Sequence, residues 1–390
     1  MLVHSRTELL SPTMGGLMRK KMLRKLHIAC SALAVTGLTP ALLLAADDAA
    51  APAAPVGNEF SQILDKVGLA VTGYVSSSFY HSTGDSTFHQ FDIEHDTFQL
   101  DQAAITLAYQ PKEGFGAVVN LTAGEDARVL NAAENGTNSA FEVTQAYLQY
   151  AHGPVTVMAG KFVTLAGYEV IDPTKNTNFS RSLLFFSEPL THTGIRAAYA
   201  VNDTLTLTAG INNGWNSTST SYGSKTAELG VAFVPNKIVS VTASAYVGKE
   251  QISNALRTVV DGVVAYNVTS QLTLALNANW GKQDEQPESG LHDEDWTAVA
   301  GYANFAFNDY WRVSFRGEIL NDKEGFVTGS QQKVKEGTLT FGYAPVKAFE
   351  VRLEARYDWS NEDTFESRVN DAATFGDHQT GFAIQGLYKF

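Results

Sequence analysis

The sequence is poor in cysteine, in basic residues and in long apolar runs. One cysteine among 390 residues excludes a disulfide framework and a Cys-rich zinc module. The 28 Lys and Arg residues against 41 Asp and Glu residues give a formal charge of −13, whereas a nucleic-acid binder needs a basic surface. No apolar run after Gly68 approaches the roughly 18–20 residues of a membrane-spanning helix. There is also no Gly-rich phosphate loop and no His-Glu-x-x-His stretch, so we expect no catalytic residues, no metal ligands and no cofactor.

Residues 1–46 are predicted to be a secretory signal peptide. A basic segment at residues 18–25 precedes an apolar stretch at residues 26–44, and two alanines and an aspartate follow. This order is typical of a cleavable leader. A membrane anchor is the alternative, because the stretch is long enough to span a bilayer, but Pro40 and the small residues near its end favour cleavage.

The rest of the chain divides into a linker and one large domain. Residues 1–17 precede a better start site and fit a gene-model extension. Cys30 follows the basic segment too closely for a lipid-attachment site. Residues 47–67 form an Ala/Pro-rich linker with one short helix, and residues 68–390 form the domain. Cleavage after residue 46 removes six basic residues and one acidic residue, which leaves 22 against 40 and a charge of −18.

From Gly68 onward apolar and polar residues alternate. In the segment 349–358, Phe, Val, Leu, Ala and Tyr alternate with Glu, Arg, Glu, Arg and Asp. Successive side chains of a strand point to opposite faces, so one face is apolar and the other charged. The segments with this alternation are 69–80, 98–110, 115–123, 143–151, 155–162, 194–201, 204–212, 226–233, 239–247, 256–267, 272–280, 296–307, 311–319, 333–343, 349–358 and 380–390.

These sixteen segments predict an all-β fold, a transmembrane antiparallel β-barrel of about 16 strands (14–18). Short polar joins alternate with long polar stretches, which is typical of outer-membrane barrels. The alternatives are a soluble β-sandwich or a propeller, whose strands also alternate. Aromatic residues at the ends of the apolar stripes favour the membrane barrel, because its two interfaces carry aromatic girdles. They are Tyr80, Tyr109, Phe162, Phe233, Trp280, Trp311, Tyr343 and Tyr357.

The last segment carries a second indication of a closed barrel. Its apolar face ends on an aromatic residue, as expected where a paired strand closes the sheet. The terminus also resembles the signal that the outer-membrane barrel assembly machinery recognises. The residues of this expected assembly signal are Phe382, Ile384, Tyr388 and Phe390.

Six stretches in order along the chain resemble the putative β-barrel porin-2 family of Gram-negative bacteria. They are 73–75 (GYV), 98–103 (FQLDQA), 145–148 (QAYL), 159–162 (AGKF), 178–182 (NFSRS) and 189–194 (PLTHTG). The similarity extends from about Gly68 to Phe390 and is densest before residue 250. The resemblance implies an outer-membrane channel for small solutes, and it implies no catalytic set.

The charged face of the barrel is expected to line a water-filled lumen, because a cation toward lipid costs about 2–4 kcal/mol at the midplane. Four arginines on neighbouring segments form a basic row, and acidic residues lie beside them. Opposed charge rows orient dipolar solutes and tune ion selectivity. The alternative is that they only pair with each other across strands. The predicted pore-lining residues are Arg312, Arg316, Glu318, Glu350, Arg352, Glu354, Arg356, Lys161 and Arg196.

The stretch 163–193 is too long, and at residues 183–186 too apolar, for a freely solvated loop. We expect it to fold into the lumen as a constriction. The alternative is an external loop packed on a neighbouring subunit. The charged or titratable residues of the predicted constriction loop are Glu169, Asp172, Lys175, Arg181, Glu188 and His192.

Two acidic clusters are weak candidates for a cation site. They lie at residues 92–96 and 292–295, in predicted outer loops where such residues are usually only solvated.

Taken together, these features of the sequence predict an outer-membrane porin for passive diffusion of small hydrophilic solutes and ions. The alternatives are a non-conducting barrel acting as adhesin or structural protein, an outer-membrane hydrolase and a soluble periplasmic β protein. Expected partners are outer-membrane lipid, the assembly machinery and, by analogy with sixteen-stranded porins, two further copies in a homotrimer.

Overall fold

The computed structural model of the chain describes residue 64 and residues 66–219, 223–250, 255–284, 293–369 and 372–390. The predicted signal peptide and nearly all of the predicted linker lie outside the described residues. Within the described part, no helix is long and apolar enough to cross a bilayer.

Sixteen antiparallel strands form one closed barrel, which confirms the fold predicted from the alternation. Neighbours in sequence are neighbours in the sheet, and the last strand returns to the first. The barrel strands are β1 (Leu69–Ser82), β2 (Thr97–Tyr109), β3 (Gly114–Ala123), β4 (Phe141–His152), β5 (Val155–Val163), β6 (Thr191–Asn202), β7 (Leu205–Asn212), β8 (Thr226–Phe233), β9 (Val239–Lys249), β10 (Leu256–Asn267), β11 (Leu272–Gln283), β12 (Glu294–Ala306), β13 (Trp311–Asp322), β14 (Gln332–Val346), β15 (Phe349–Ser360) and β18 (His378–Lys389).

The smaller elements lie in the connections between barrel strands. Helix α1 (Glu125–Asn135) follows β3, and the four-residue helix α2 (Leu183–Phe186) lies between β5 and β6. A hairpin of β16 (Phe365–Val369) and β17 (Ala372–Gly376) follows β15. The eight long connections, which include these elements, lie at one end of the barrel, here called the long-loop end. The other end, with connections of two to five residues such as 153–154 and 234–238, is the short-turn end.

The alternating residues separate into an apolar outer face and a mainly polar inner face. On β13 the outward Phe315 is 51% exposed, whereas its neighbour Arg316 is 0% exposed. On β15 the outward Leu353 is 54% exposed and Arg352 is 2% exposed. A shift of one residue in register would turn these guanidinium groups toward lipid, so the pattern specifies the register strongly.

Two of the predicted girdle aromatics lie inside the barrel instead. Tyr80 is buried on the same face of β1 as Ser76 and Ser78, because it has their parity. Phe162 is also buried, and the guanidinium of Arg196 lies 4.1 Å from the centre of its ring. Gly160, two residues earlier, has a φ of 137°, a conformation that favours glycine and that interrupts the regular alternation of β5.

The barrel closes between β1 and β18. Tyr74 to Ser82 pair with Lys389 to Gly381, and beyond them Gly73 and Phe390 exchange two backbone hydrogen bonds of 2.9 Å each. The Phe390 ring covers Gly73, where an added Cβ would lie 2.5 Å from the ring. A larger residue at position 73 would therefore force a shift of the Phe390 ring and would also crowd the Ala104 carbonyl, at 2.8 Å.

Candidate functional site inside the barrel

Residues 164–190, here called the lumen segment, lie inside the barrel between β5 and β6. Gln102 on β2 donates to the Ile171 carbonyl (3.0 Å), and Arg356 on β15 donates to the Arg181 carbonyl (2.6 Å). On another side, the Gly167 amide donates to Asp261 of β10 (2.9 Å). The segment thus contacts inward-facing residues on several sides of the wall. These contacts contradict the alternative of an external loop packed on a neighbouring subunit.

Wall carboxylates hold the lumen segment by its backbone. Glu354 accepts from the amides of Phe179 (2.6 Å) and Ser180 (2.8 Å). Glu318 accepts from the first two amides of α2, those of Leu183 (2.8 Å) and Leu184 (3.2 Å). Buried amides of an irregular segment must find acceptors, and charged acceptors form the stronger hydrogen bonds. These two glutamates therefore fix the path of the segment through residues 179–184.

Arg316 connects the wall to the segment at the same level. Its guanidinium lies 2.9 Å from Glu336 on β14, 3.6 Å from Glu318 and 2.7 Å from Glu169 of the segment. It also donates to the Ser180 carbonyl (2.9 Å). Its charge is shared among carboxylates and a carbonyl, as a buried cation requires.

The other arginines of the predicted row face inward as well. Arg352 pairs with Glu350 (2.9 Å), and Arg356 pairs with Asp358 (2.8 Å). Both arginines are 2% exposed, so the lumen segment covers them. Arg312, near the short-turn end, retains a side-chain exposure of 21% and donates to Glu350 (2.6 Å).

The Arg312–Glu350 pair passes over a glycine. Gly342 on β14 lies between β13 and β15, in register with Arg312 and Arg352. A Cβ at Gly342 would lie 2.4 Å from Glu350 Oε1 and 2.8 Å from Arg312 Nε. The absence of a side chain at this position allows an ion pair to bridge two strands that are not adjacent.

The predicted constriction residues have different surroundings. Arg181 is buried and donates to three carbonyls of its own segment, those of Val170 (3.0 Å), Phe179 (2.8 Å) and Ile171 (3.0 Å). Asp172 accepts from the Thr174 amide (2.8 Å) and caps a 3-10 turn, and burial raises its pKa. These two residues stabilise the fold of the segment itself.

Lys175 and Glu188 of the lumen segment differ in their exposure to solvent. Lys175 is exposed. Glu188 is buried and accepts from Asn279 of β11 (3.1 Å). Burial and the negative charge of Asp261 raise the pKa of Glu188 well above its ordinary range.

The remaining predicted residues belong to the wall. His192 lies in β6, not in the loop, because that strand begins at Thr191, and its ring stacks on Tyr246 with centres 4.7 Å apart. Arg196 is 0% exposed and pairs with Glu228 (2.5 Å). Lys161 pairs with Glu142 (2.8 Å) and with a glutamate of α1.

The lumen segment also has an apolar anchor. Leu183 and Leu184 of α2 are fully buried and belong to one cluster with inward-facing residues of the wall. Each such leucine contributes about 1.5–3 kcal/mol through burial. The wall residues of this cluster include Val259, Trp296, Ala298, Ala300, Tyr302, Leu320 and Val334.

A second long connection, residues 83–96, reaches the interior through His89. One ring nitrogen lies 2.5 Å from Asp92 of the same loop, and the other lies 3.0 Å from Asp358 of β15. Carboxylates only accept hydrogen bonds, so a protonated ring satisfies both of them, and the Gln379 amide lies 3.1 Å from the second ring nitrogen. Burial and the nearby Arg356 lower the pKa of His89, but the two carboxylates raise it by more, so the net shift is upward.

A cavity of about 440 Å³ opens at the short-turn end. The lumen segment contributes Thr174 to its lining, and the wall contributes Arg312 and Glu350 together with Asn308 and Tyr310. We call this cavity the vestibule. Part of the predicted charged row therefore borders open space, while Arg316, Arg352 and Arg356 lie behind the lumen segment.

Sequence reasoning did not identify Glu336, Asp261 or His89. Glu336 has the parity of the buried Thr338 and Thr340, and Asp261 is a single acid between inward-facing valines, so both positions carried a signal. His89 carried none, because Asp358, its partner on the wall, is distant in sequence.

The two acidic clusters do not converge on a cation. Asp92 turns inward to His89, while Asp96 lies 2.5 Å from His81. Asp293 pairs with Lys282 (2.6 Å), and His292 lies outside the described residues. Within the described part of the chain, no group of three or more His, Cys, Asp or Glu residues could hold a metal ion.

Comparison with known proteins gives one family and many similar structures. The family model described as putative β-barrel porin-2, OmpL-like matches residues 66–390. No curated protein matches the chain. The outer-membrane channel DcaP of Acinetobacter baumannii is 14% identical with a TM-score of 0.56, over 83% of this chain and 97% of that one.

Two further solved structures share the fold at similarly low identity. An anion-selective porin from Comamonas acidovorans is 11% identical with a TM-score of 0.57, over 83% of this chain and 99% of that one. The trimer form of OmpT, an outer-membrane protein of Vibrio cholerae, is 11% identical with a TM-score of 0.53, over 83% and 99% of the two chains.

Proposed function

Because the chain belongs to the putative β-barrel porin-2 family, we propose that it is an outer-membrane porin in which the lumen segment forms the constriction. Small hydrophilic solutes and ions cross by passive diffusion. The observation that carries the proposal is a closed barrel with an apolar outer face and a charged inner wall, to which an internal segment is bound. In barrels of this kind short turns face the periplasm and long loops face outside, and we assign this chain the same orientation.

The charged residues have two roles in this proposal. Arg312, Glu350 and Lys175 meet the solute at the periplasmic side, because they are the charged residues of the row and the segment that remain exposed. Arg316, Glu318, Arg352, Glu354 and Arg356 hold the lumen segment in place. Glu169, Arg181 and Glu188 determine its shape, whereas Lys161, Arg196 and His192 stabilise the wall beside it.

Deletion of residues 170–186 tests the constriction. Single-channel conductance in planar bilayers is expected to rise, because the deletion removes the part of the segment that covers Arg316, Arg352 and Arg356. Unchanged conductance rejects the constriction. A liposome-swelling assay with sugars, amino acids and organic acids of graded size tests diffusion itself in the intact protein.

A second candidate function is a non-conducting barrel that acts as an adhesin or structural protein. The observation that favours it is the extent to which protein fills the interior, because Arg196 and Arg316 are 0% exposed and α2 is anchored in an apolar cluster. Conductance of the intact protein distinguishes the two functions. A protein that inserts in bilayers but carries no current has the second function.

Export and assembly complete the proposal. Residues 1–46 act as a cleavable signal peptide, which N-terminal sequencing of the mature protein tests. Phe382, Ile384 and Tyr388 face outward on β18, and Phe390 ends that face, in keeping with a signal read by the assembly machinery. The protein forms a homotrimer, as one structure of similar fold does, and native mass spectrometry counts the subunits.

A further inference from the structure

The lysines of the barrel are unevenly distributed around the long-loop end. Six of them lie at that end of the arc from β8 to β14: Lys225, Lys249, Lys282, Lys323, Lys333 and Lys335. On the opposite arc, from β15 through β18 and β1 to β7, the described strands place no lysine on the outer face at this end. The outward lysines of this end therefore lie in one sector of the barrel.

Among the described residues, four of these lysines have no acidic partner within 4 Å, and two of the four, Lys333 and Lys335, lie side by side on one strand. Lys282 lies 2.9 Å from Asp284, and Lys323 pairs with Asp295. Lys333 and Lys335 are both exposed on the outward face of β14, and no carboxylate of the described residues lies within 4 Å of either ammonium group. Two adjacent, uncompensated ammonium groups attract an anion.

The neighbours of Lys335 place it at a membrane interface. It lies opposite Trp359 of β15 and Ile319 of β13, which are outward-facing and exposed. Its Nζ atom lies 6.0 Å from the centre of the Trp359 ring. Tryptophan is enriched where hydrocarbon meets headgroups, so the ammonium groups of Lys333 and Lys335 lie at the height of lipid phosphates.

The missing side chain of Gly337 leaves a shallow depression among outward-facing residues directly below this pair. Gly337 is two residues deeper on β14, about 7 Å along the strand, and a Cβ added there would meet no atom within 4 Å. Gly317 on β13 pairs with it in register, and the Phe315 ring leans over Gly317 at 3.3 Å. Tyr357 of β15 lies opposite Gly337 on the other side. The depression runs between two aromatic rings and suits one acyl chain.

We propose that Lys333 and Lys335 bind the phosphate of a phosphorylated glycolipid of the lipid A type in the outer leaflet, with one acyl chain seated over Gly337. The lysines match the phosphate in charge, and the depression matches the chain in polarity. A free phosphate ion would leave the depression unused, and a second copy of the chain would bring two more uncompensated lysines. The inference rests on the proposed outer-membrane location, with the long loops facing outside.

Native mass spectrometry of the intact, detergent-solubilised protein tests the site. The probes are diphosphorylated lipid A, dephosphorylated lipid A, phosphatidylglycerol and inorganic phosphate. The variant is Lys333→Gln with Lys335→Gln, and the matched control is Lys112→Gln with Lys237→Gln, which removes the same charge from exposed short turns. A gel comparison of boiled and unheated samples verifies that each variant is folded.

We expect each lysine substitution to lower the affinity for lipid A by about fivefold, and both together by about 25-fold. These values follow from the usual strength of a lysine at an anionic lipid surface. The control keeps its affinity, and Gly337→Leu weakens lipid A binding without changing any charge. Equal affinity of the variant and the intact protein overturns the site, as does equal binding of dephosphorylated lipid A. Binding of phosphatidylglycerol or inorganic phosphate as strong as that of lipid A overturns the choice of ligand.

Conductance of the same variants separates this inference from the proposed function. The double lysine variant is expected to conduct as the intact protein does, because both residues lie on the outer face. A barrel that binds lipid A but carries no current refutes the channel and leaves the lipid site standing.

Discussion

Arg316 of the wall and Glu169 of the lumen segment lie 2.7 Å apart inside the barrel, although 147 residues separate them in the chain. Both are buried, so their attraction is weakly screened and their loss of hydration is large. Such a pair contributes little net stability, but removal of one partner leaves the other as a buried charge. The position of the lumen segment should therefore depend on Arg316.

Substitution Arg316→Met is expected to loosen the attachment of the segment to β13, where Glu318 still accepts from the first amides of α2. The carboxylates of Glu169 and Glu336 lose a cation, which costs about 3–5 kcal/mol when a buried pair is broken. Faster proteolysis within residues 164–190 and larger current fluctuations are the expected results. The control is Arg128→Met on α1, whose guanidinium binds Glu125 and the Asn138 carbonyl outside the lumen segment and whose loss should have a smaller effect. Equal proteolysis of both variants would show that Arg316 does not anchor the segment.

The apolar anchor of α2 can be tested separately from the charges. Leu184→Ala leaves a cavity against the cluster that includes Trp296 and Leu320, and such truncations cost about 2–5 kcal/mol. When samples are heated before electrophoresis, we expect this variant to lose its folded mobility at a lower temperature than the intact protein does. Leu353→Ala on the lipid-facing side is the matched control and should shift that temperature less. A larger shift in the control would contradict the role of the cluster.

Gly342→Ala is expected to separate Arg312 from Glu350. The new methyl group would occupy the space where the two side chains now meet, at 2.4 Å from the carboxylate oxygen. The charges that border the vestibule would then be rearranged, and the reversal potential measured in a salt gradient should shift. Gly301→Ala, where the nearest atom lies 3.9 Å away, is the control and should leave the potential unchanged. No difference between the two would exclude this pair from the ion path.

Loop 83–96 is expected to loosen as the pH rises. The pKa of His89 is raised in the folded protein, so its contribution is complete below the ordinary histidine pKa of about 6.5 and is lost as the pH rises through the folded value. Asp92, Asp358, Arg356 and Tyr80 are the charged or titratable groups around it. Limited proteolysis of this loop at about pH 6 and about pH 9 measures the change.

The control for that experiment is His89→Gln, which is neutral at every pH. Its loop should be cleaved readily at both pH values. A loop that is equally protected in the intact protein across the range would show that the protonated ring does not hold it.

Gly73→Leu is expected to impair closure of the barrel. Any side chain at this position meets the Phe390 ring at 2.5 Å and the Ala104 carbonyl at 2.8 Å. Refolding into detergent should be slower or incomplete. The mobility difference between boiled and unheated samples on gels measures the refolded fraction. Gly386→Ala on β18 meets only ordinary contacts at 4.0 Å and should refold normally. Normal refolding of both would mean that the terminal ring is free to move aside.

The barrel was predictable because two solvents act on each strand. Lipid selects apolar residues on one face, as at Leu353, and the interior selects polar residues on the other, as at Arg352. A period of two therefore survives along most of the sheet, apart from local irregularities such as the one at Gly160, and the count of sixteen follows from it. The long stretch 163–193 was expected inside the lumen because of its apolar tetrad, and the tetrad forms α2 there.

The interior contacts were less predictable, because a side chain of given parity has many candidate partners. Arg316 was expected in a row with other arginines, but it is bound by acids from β14 and from the lumen segment. Tyr80 and Phe162 were assigned to the outer girdle on residue type alone, and parity and a glycine irregularity place them inside. His89 depends on β15, which lies 269 residues away from it in the chain.

The reach of the lumen segment from Gln102 to Arg356 constrains the order of events during biogenesis. Those contacts lie on strands from the first and the last part of the chain, and the seam between β1 and β18 separates them around the ring. The segment can complete these contacts only when strands from both parts of the chain are in place. We therefore expect the segment to reach its final position together with pairing of β1 and β18.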